Sequence, residues 1–239
     1  MAVDRREFCA VAHLKGTKHK IYEDSFRMLP REIPLVQACR RGEIFAVFDG
    51  IGGAPEGRRA AQHMADSLIA FFRKLDSYPS SPQGLENLLI EANREIAGWG
   101  FMPGTDRPLG GCAGTVAWVW AGQLHIFHAG DTCGILIRDG KAIELTQSHQ
   151  TVDGAIYKYF GLGEHLKLFH SHTSIEEGDR VLLISDGITK AKQPVEAAKM
   201  LNDYQDIAIA VNSLAVAAQA AGSNDDITAL LVEVSEIWE

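Results

Sequence analysis

The sequence predicts an α+β fold built mostly from antiparallel strands. Three observations lead there. Apolar runs of strand length follow one another across short turns. Helical patterns come in blocks and do not alternate with single strands. No segment repeats and none has the composition of a linker, so residues 1–239 are expected to form one domain. A domain of this size buries roughly 70–75% of its unfolded surface and needs no disulfide or metal in order to fold.

Residues 8–14 and 43–48 read as strands, the second (EIFAVF) stopping abruptly at Asp49-Gly50. Ala60, Met64, Leu68, Ile69 and Phe72 recur at helical spacing, and so do Leu85, Leu88, Leu89, Ala92 and Ile96. A Gly/Pro-rich loop fills 99–114. Strands over 115–120 and 124–128 flank Ala121-Gly122-Gln123, a hairpin signal. Strands over 135–137 and 142–145 flank the tight turn Arg138-Asp139-Gly140-Lys141. Further strands are expected over 165–173 and 180–184, a helix over 204–220 and a closing strand over 227–234.

Charge and composition narrow the function. Basic residues number 23 and acidic residues 31, a formal charge of −8, which argues against a nucleic-acid binder. No run approaches the ~18 apolar residues that span a bilayer. The charged start, Met1-Ala2-Val3-Asp4-Arg5-Arg6-Glu7, lacks an apolar signal core, so a cytoplasmic location without membrane partners is expected. Cys9, Cys39, Cys112 and Cys133 are far apart, form no CxxC, and read as reduced thiols.

The chemistry collects where apolar strands stop. Asp49 follows EIFAVF, Asp131 follows HIFHAG, and Asp186 follows VLLIS. Asp225 and Asp226 precede ITALLVEV, and Glu23-Asp24 precede Ser25-Phe26. Carboxylates at strand ends can meet at one rim of a sheet, where a hard divalent cation removes their mutual repulsion. A glycine after the aspartate, as in Asp49-Gly50, lets a backbone carbonyl approach the same cation. Asp139-Gly140 and Asp153-Gly154 read as ordinary turns. The Asp49-Gly50-Ile51-Gly52-Gly53 loop lacks the lysine of a phosphate-binding P-loop.

These pieces form an ordered set: Glu23-Asp24; Asp49-Gly50-Ile51-Gly52-Gly53; Gly114-Thr115; Gly130-Asp131-Thr132; Ser185-Asp186-Gly187; and Gly222-Ser223-Asn224-Asp225-Asp226-Ile227-Thr228. In this order the chain resembles the metal-dependent, type 2C serine/threonine protein phosphatases, in their bacterial form. The resemblance implies a two-layer antiparallel β-sandwich flanked by helices on both faces. It implies a centre of two Mn2+ or Mg2+ ions, with Asp49 bridging them. Asp186 and Asp225 would complete one ion; the Gly50 carbonyl and Glu23 or Asp24 would hold the other. Asp131 would face a weaker third position. A hydroxide held between the two ions would attack phosphoserine or phosphothreonine in line, with Asp49, Asp186 and Asp225 carrying the catalysis. The implied partners are a phosphorylated protein and a cognate serine/threonine kinase.

The chain departs from the family at several positions. His19 stands where the family has a phosphate-binding arginine, so phosphate capture by His19, Lys18 and Lys20 is expected to be weaker, or shared between the histidine and a lysine. Tyr22 replaces the usual asparagine before the acidic pair. Ile51 leaves no histidine acid in the DGxGG loop. Lys190 stands where an aspartate near the third ion is common, and an ammonium there disfavours that ion. The flap over 146–163 is short, and His170 and His172 fall on one strand face as solvated residues. Two alternatives follow: a non-catalytic phosphoprotein-binding or regulatory module on the same fold, or a phosphatase of small metabolites.

Overall fold

The computed structural model describes residues 1–237. Its strands are β1 (Ala2–Arg5), β2 (Cys9–Leu14), β3 (Ser25–Leu29), β4 (Glu43–Gly50), β5 (Cys112–Trp120), β6 (Gln123–Ala129), β7 (Cys133–Arg138), β8 (Lys141–Glu144), β9 (Phe169–Ser174), β10 (Arg180–Ile184) and β11 (Ile227–Glu233). Its helices are α1 (Pro34–Cys39), α2 (Gly57–Ser67), α3 (Ala70–Arg73), α4 (Pro82–Ala97), α5 (Asp186–Thr189), α6 (Pro194–Met200) and α7 (Ile207–Ala220). One sheet has the order β1-β2-β11-β10-β7-β8 and the other β3-β4-β5-β6-β9. Every pairing is antiparallel.

The central strands are apolar on both sides because both of their faces are covered. In β4, Phe45 and Val47 face the other sheet, while Ile44, Ala46 and Phe48 face α2 and α4. In β11, Leu230 and Val232 point between the sheets, and Ala229 and Leu231 pack under α7. Period-two alternation thus feeds two apolar layers from one strand. The result is the α-β-β-α sandwich that the resemblance implied.

Several boundaries differ from the sequence reading. The helical pattern across Ala60 to Phe72 breaks into α2 and α3. The strand expected over 165–173 begins only at Phe169. The helix expected from 204 starts at Ile207, because Asp206 caps it by accepting from the Ala208 and Ile209 amides. The exposed β1, the amphipathic β3 and the short α1, α5 and α6 have no strong apolar signal and stand outside the sequence expectation.

Antiparallel register decides where the aspartates go. The end of β10 at Ile184 lies opposite Cys133, which begins β7, and opposite Ala229, two residues into β11. Asp186 just beyond β10, Asp131 just before β7 and Asp225 just before β11 therefore share one rim. In the other sheet, Phe48 near the end of β4 pairs with Ser25 at the start of β3. That brings Asp49 beside Asp24. The chain from β2 to β3 crosses between the sheets at this same rim and carries Lys18, His19, Tyr22 and Glu23.

Candidate active site

The rim opens into a cleft of about 580 Å³ lined by Lys18, the Ile51-Gly52-Gly53 loop, Arg107, Asp131, Asp186 and Lys190, with flap residues Gln150, Ile156 and Tyr159 opposite. Asp49 sits at the end of the row of inward-facing residues of β4. Its carboxyl is pushed well above the usual carboxylate range, first by burial and then by the charges of Asp24, Asp186, Asp131 and Asp225. Among the described residues no side chain donates to it. Gly50 beside it is required: a Cβ there would lie 2.7 Å from the Gly57 backbone, where α2 closes on the loop.

Asp24 is 5% exposed. Thr228 Oγ1 donates to its Oδ2 at 2.5 Å, and the Tyr22 hydroxyl in turn reaches Thr228 Oγ1 at 2.5 Å. Burial pushes Asp24 up to about 7; the Thr228 and Ser185 bonds pull against that, and the charges of Asp186 and Asp226 add to it. Its other oxygen, Oδ1, is buried with no hydrogen-bond partner, and so is Asp186 Oδ1. Asp131 is raised to about 6, first by burial and then by Asp186; Lys190 and the bond from Gln150 Nε2 to its Oδ2 (2.5 Å) temper the rise.

The opposite wall carries cations. Lys190 Nζ donates to Asp186 Oδ2 and, at 2.6 Å, to Asp225 Oδ2. Lys18 Nζ donates to the same Asp225 oxygen at 2.6 Å. Burial alone would raise Asp225, but the two ammonium groups bring it down to about 2. Burial would likewise lower Lys190, and Asp186 and Asp225 outweigh it and raise the ammonium.

The structure thus brings Glu23, Asp24, Asp49, Gly50, Asp131, Asp186 and Asp225 to one rim. Among the basic trio it brings only Lys18 to the cleft wall. His19 turns inward, its Nδ1 lying 3.4 Å from Glu23 Oε2 and 3.6 Å from both Asp225 Oδ1 and Asp226 Oδ2. Lys20 is exposed away from the cleft. Asp226 has a different task from its neighbour: it accepts from the Gly16 and Glu23 amides at 2.8 and 2.7 Å and clasps the β2–β3 crossing. Arg107 is the residue that sequence reasoning missed. It stands in an irregular Gly/Pro-rich loop, forms no ion pair among the described residues, and nothing in its spacing points to the cleft.

His170 and His172 are exposed on β9, and His125 joins them, with ring centroids 5.5 and 5.6 Å away. The rings stack, and His125 Nδ1 and His170 Nε2 share a hydrogen bond at 3.2 Å. A separate histidine pair supports the Asp131 loop. His149 Nδ1 accepts from the Gly130 amide at 3.1 Å and its ring stacks on the buried His128.

The donor set at the rim suits a hard divalent cation. It is all carboxylate, with burial and neighbouring charges pushing Asp49 and Asp24 up from the usual range, and it holds two buried carboxylate oxygens without a partner. Yet among the described residues no three carboxylate, imidazole or thiolate groups form a ready cage for an ion. Asp186 and Asp225 close on lysines instead.

The fold is an α-β-β-α sandwich with carboxylates gathered on one rim, and comparison with known proteins gives its family. The description "Protein phosphatase 2C" fits residues 11–155, more than half of the chain, and "Stage II sporulation protein E (SpoIIE)" fits residues 115–235. The chain belongs to the protein phosphatase 2C family. Mouse protein phosphatase 1E is 26% identical over 226 residues, covering 79% of this chain and 29% of the relative. The probable protein phosphatase 2C 6 of Paramecium tetraurelia is 30% identical over 126 residues, covering 46% of this chain and 39% of the relative. The chain therefore spans well under half the length of these relatives. Among solved structures, Mycobacterium tuberculosis PstP/Ppp superposes with a TM-score of 0.78 at 20% identity, covering 99% of this chain and 100% of that one. PppA, a key regulatory component of T6SS in Pseudomonas aeruginosa, gives 0.77 at 24%, covering 94% and 96%. Both show the shared fold. No helix among the described residues is long and apolar enough to cross a membrane.

Proposed function

We propose that the chain forms one catalytic domain that hydrolyses phosphoserine and phosphothreonine in proteins with the help of two Mn2+ or Mg2+ ions. The observation that carries this reading is the convergence of Asp24, Asp49, Asp131, Asp186 and Asp225 on one rim of a type 2C sandwich, with partnerless buried oxygens on Asp24 and Asp186. The PstP catalytic domain, at 22% identity and a TM-score of 0.78, is described in complex with two manganese ions, which supports the choice of cofactor. Asp49, Gly50, Glu23 and Asp24 would hold one ion, and Asp49, Asp186 and Asp225 the other. When bound, the ions would supply an activated water and neutralise charge on the phosphoryl oxygens.

The chain's own residues then do three things. Lys18 and Arg107 on the cleft wall draw a phosphate dianion toward a rim that would otherwise repel it. Gln150 fixes Asp131, and His149 fixes the loop that bears it. The flap side, with Ile156 and Tyr159, closes off part of the cleft from water. The cleft's openness to solvent suits a phosphorylated segment of protein.

The test is hydrolysis of an aryl phosphate and a phosphoserine peptide panel, with Mn2+ and with chelator, by the parent and Asp49→Asn. Metal-dependent release of phosphate from peptides, lost in Asp49→Asn, is expected. Turnover of the aryl phosphate alone would favour small metabolites as substrates. Peptide binding without turnover would favour the non-catalytic module, whose supporting observation is the pairing of Lys18 and Lys190 with the would-be ligands.

A further inference from the structure

We infer that Lys190 is a tethered cation that occupies the Asp186–Asp225 pair and must swing away before a divalent ion can use both carboxylates. The inference deepens the metal-centre reading above and rests on it. Its ground is geometric. Lys190 follows the single turn of α5, where its amide donates to the Asp186 carbonyl at 2.8 Å. That turn places residues four apart on one face, so the Lys190 side chain is delivered onto Asp186 by the backbone. Its ammonium then spans to Asp225, on the far side of the β10–β11 pair and 35 residues away in sequence. Lys18 reinforces it from the β2–β3 crossing by donating to the same Asp225 oxygen.

The two halves of the rim are treated differently. On the Asp186–Asp225 side, both carboxylates already have an ammonium counter-charge. On the Asp24–Asp49 side, no described cation reaches either carboxylate. A divalent ion arriving at the second side has no ammonium to displace. One arriving at the first must displace an ammonium that already pairs with one oxygen of each carboxylate. The Lys190 side chain has room to leave: it is 46% exposed and borders the cleft of about 580 Å³. The centre should therefore load unequally. One ion binds readily, and a second binds only in competition with Lys190.

Calorimetric Mn2+ titration of the full chain, stripped with chelator and exchanged into metal-free buffer, tests this. The variants are Lys190→Met, a neutral residue of similar length, and Asp49→Asn as the control for the centre itself. The parent is expected to bind one equivalent tightly and a second at least tenfold more weakly. Lys190→Met should tighten the second equivalent by tenfold or more. Thermal melting gives a second readout: in chelator Lys190→Met should melt below the parent, and Mn2+ should raise it by more than it raises the parent. A second equivalent unchanged within twofold in Lys190→Met, while Asp49→Asn loses binding, would leave the centre standing and overturn the role of Lys190. Absence of Mn2+ binding by both parent and Lys190→Met would overturn the metal reading and this inference with it. If Lys190→Met does not fold, Lys190→Arg serves: it keeps the charge and must keep the weak second equivalent.

Discussion

Asp24→Asn should make the metal-free protein more stable while weakening its hold on metal. Asp24 is 5% exposed, and its carboxyl is raised from 3.8 to about 7, with burial as the main cause. Proton linkage sets the sign. A carboxyl raised in the folded state costs nothing below its ordinary pKa, and the full cost is present above the raised one. At 1.36 kcal/mol per pKa unit the cost at pH 8 is ~4 kcal/mol, and at pH 5 it falls below ~2 kcal/mol. Asparagine keeps an oxygen to accept from Thr228 and carries no charge to bury. Allowing for relaxation of the neighbouring carboxyls, about half the cost should be recovered, ~2 kcal/mol at pH 8. For a chain of this length that is a rise in Tm of roughly 4–8 °C. The assay is thermal and urea denaturation in chelator at pH 5 and pH 8, repeated with Mn2+. The gain should shrink at pH 5, and with Mn2+ the parent should become the more stable protein. A variant no more stable than the parent at pH 8 in chelator, or a gain identical at both pH values, would refute the reasoning.

Three further outcomes are expected. Arg107→Ala should raise KM for phosphopeptides several-fold with kcat nearly unchanged, because the residue lines the cleft and lies outside the carboxylate rim; steady-state kinetics on a peptide panel decides it. Asp226→Ala should destabilise the fold by roughly 2–4 kcal/mol in urea denaturation, since it strips acceptors from the Gly16 and Glu23 amides, and Asp226→Asn should recover part of the loss. Tyr22→Phe should cost only about 1 kcal/mol, as one hydroxyl bond to Thr228 is removed while the ring stays packed; equal stability of variant and parent would show that this bond is satisfied by water.

The parts of the fold that can be read from the sequence are those where hydrophobicity and position coincide. EIFAVF and ITALLVEV are apolar on both faces because helices cover the outer face and the other sheet the inner one, and such runs announce themselves. The aspartates that terminate them are legible for the same reason. Ala2–Arg5 is fully exposed and adds a strand by backbone pairing alone, which leaves no hydrophobic trace. Basic residues are harder still. Lys18, His19 and Lys20 are adjacent in sequence, yet only Lys18 reaches the cleft, because the clasp by Asp226 turns the crossing segment and directs His19 inward. The spacing of Lys190 from Asp186 is visible in the sequence; its second partner, Asp225, comes only from strand pairing.

The distribution of partners over the rim explains why a chain with so many carboxylates in one place still folds. Asp226 is spent on two backbone amides and Asp131 on Gln150. Asp186 and Asp225 share Lys190, and Asp225 also takes Lys18. Each of these four is neutralised or hydrogen-bonded from within the chain. Asp24 has the Thr228 hydroxyl on one oxygen only, and Asp49 has no described donor, so burial and crowding shift both toward the protonated form. Protonation is a weaker answer than a cation, because it is lost as pH rises and leaves the charges facing one another. An external divalent ion therefore gains most at Asp24 and Asp49, where the chain offers no positive charge of its own. It gains least at Asp186 and Asp225, where two lysines are already in place. In the proposed centre the same asymmetry would set the order in which the two ions load.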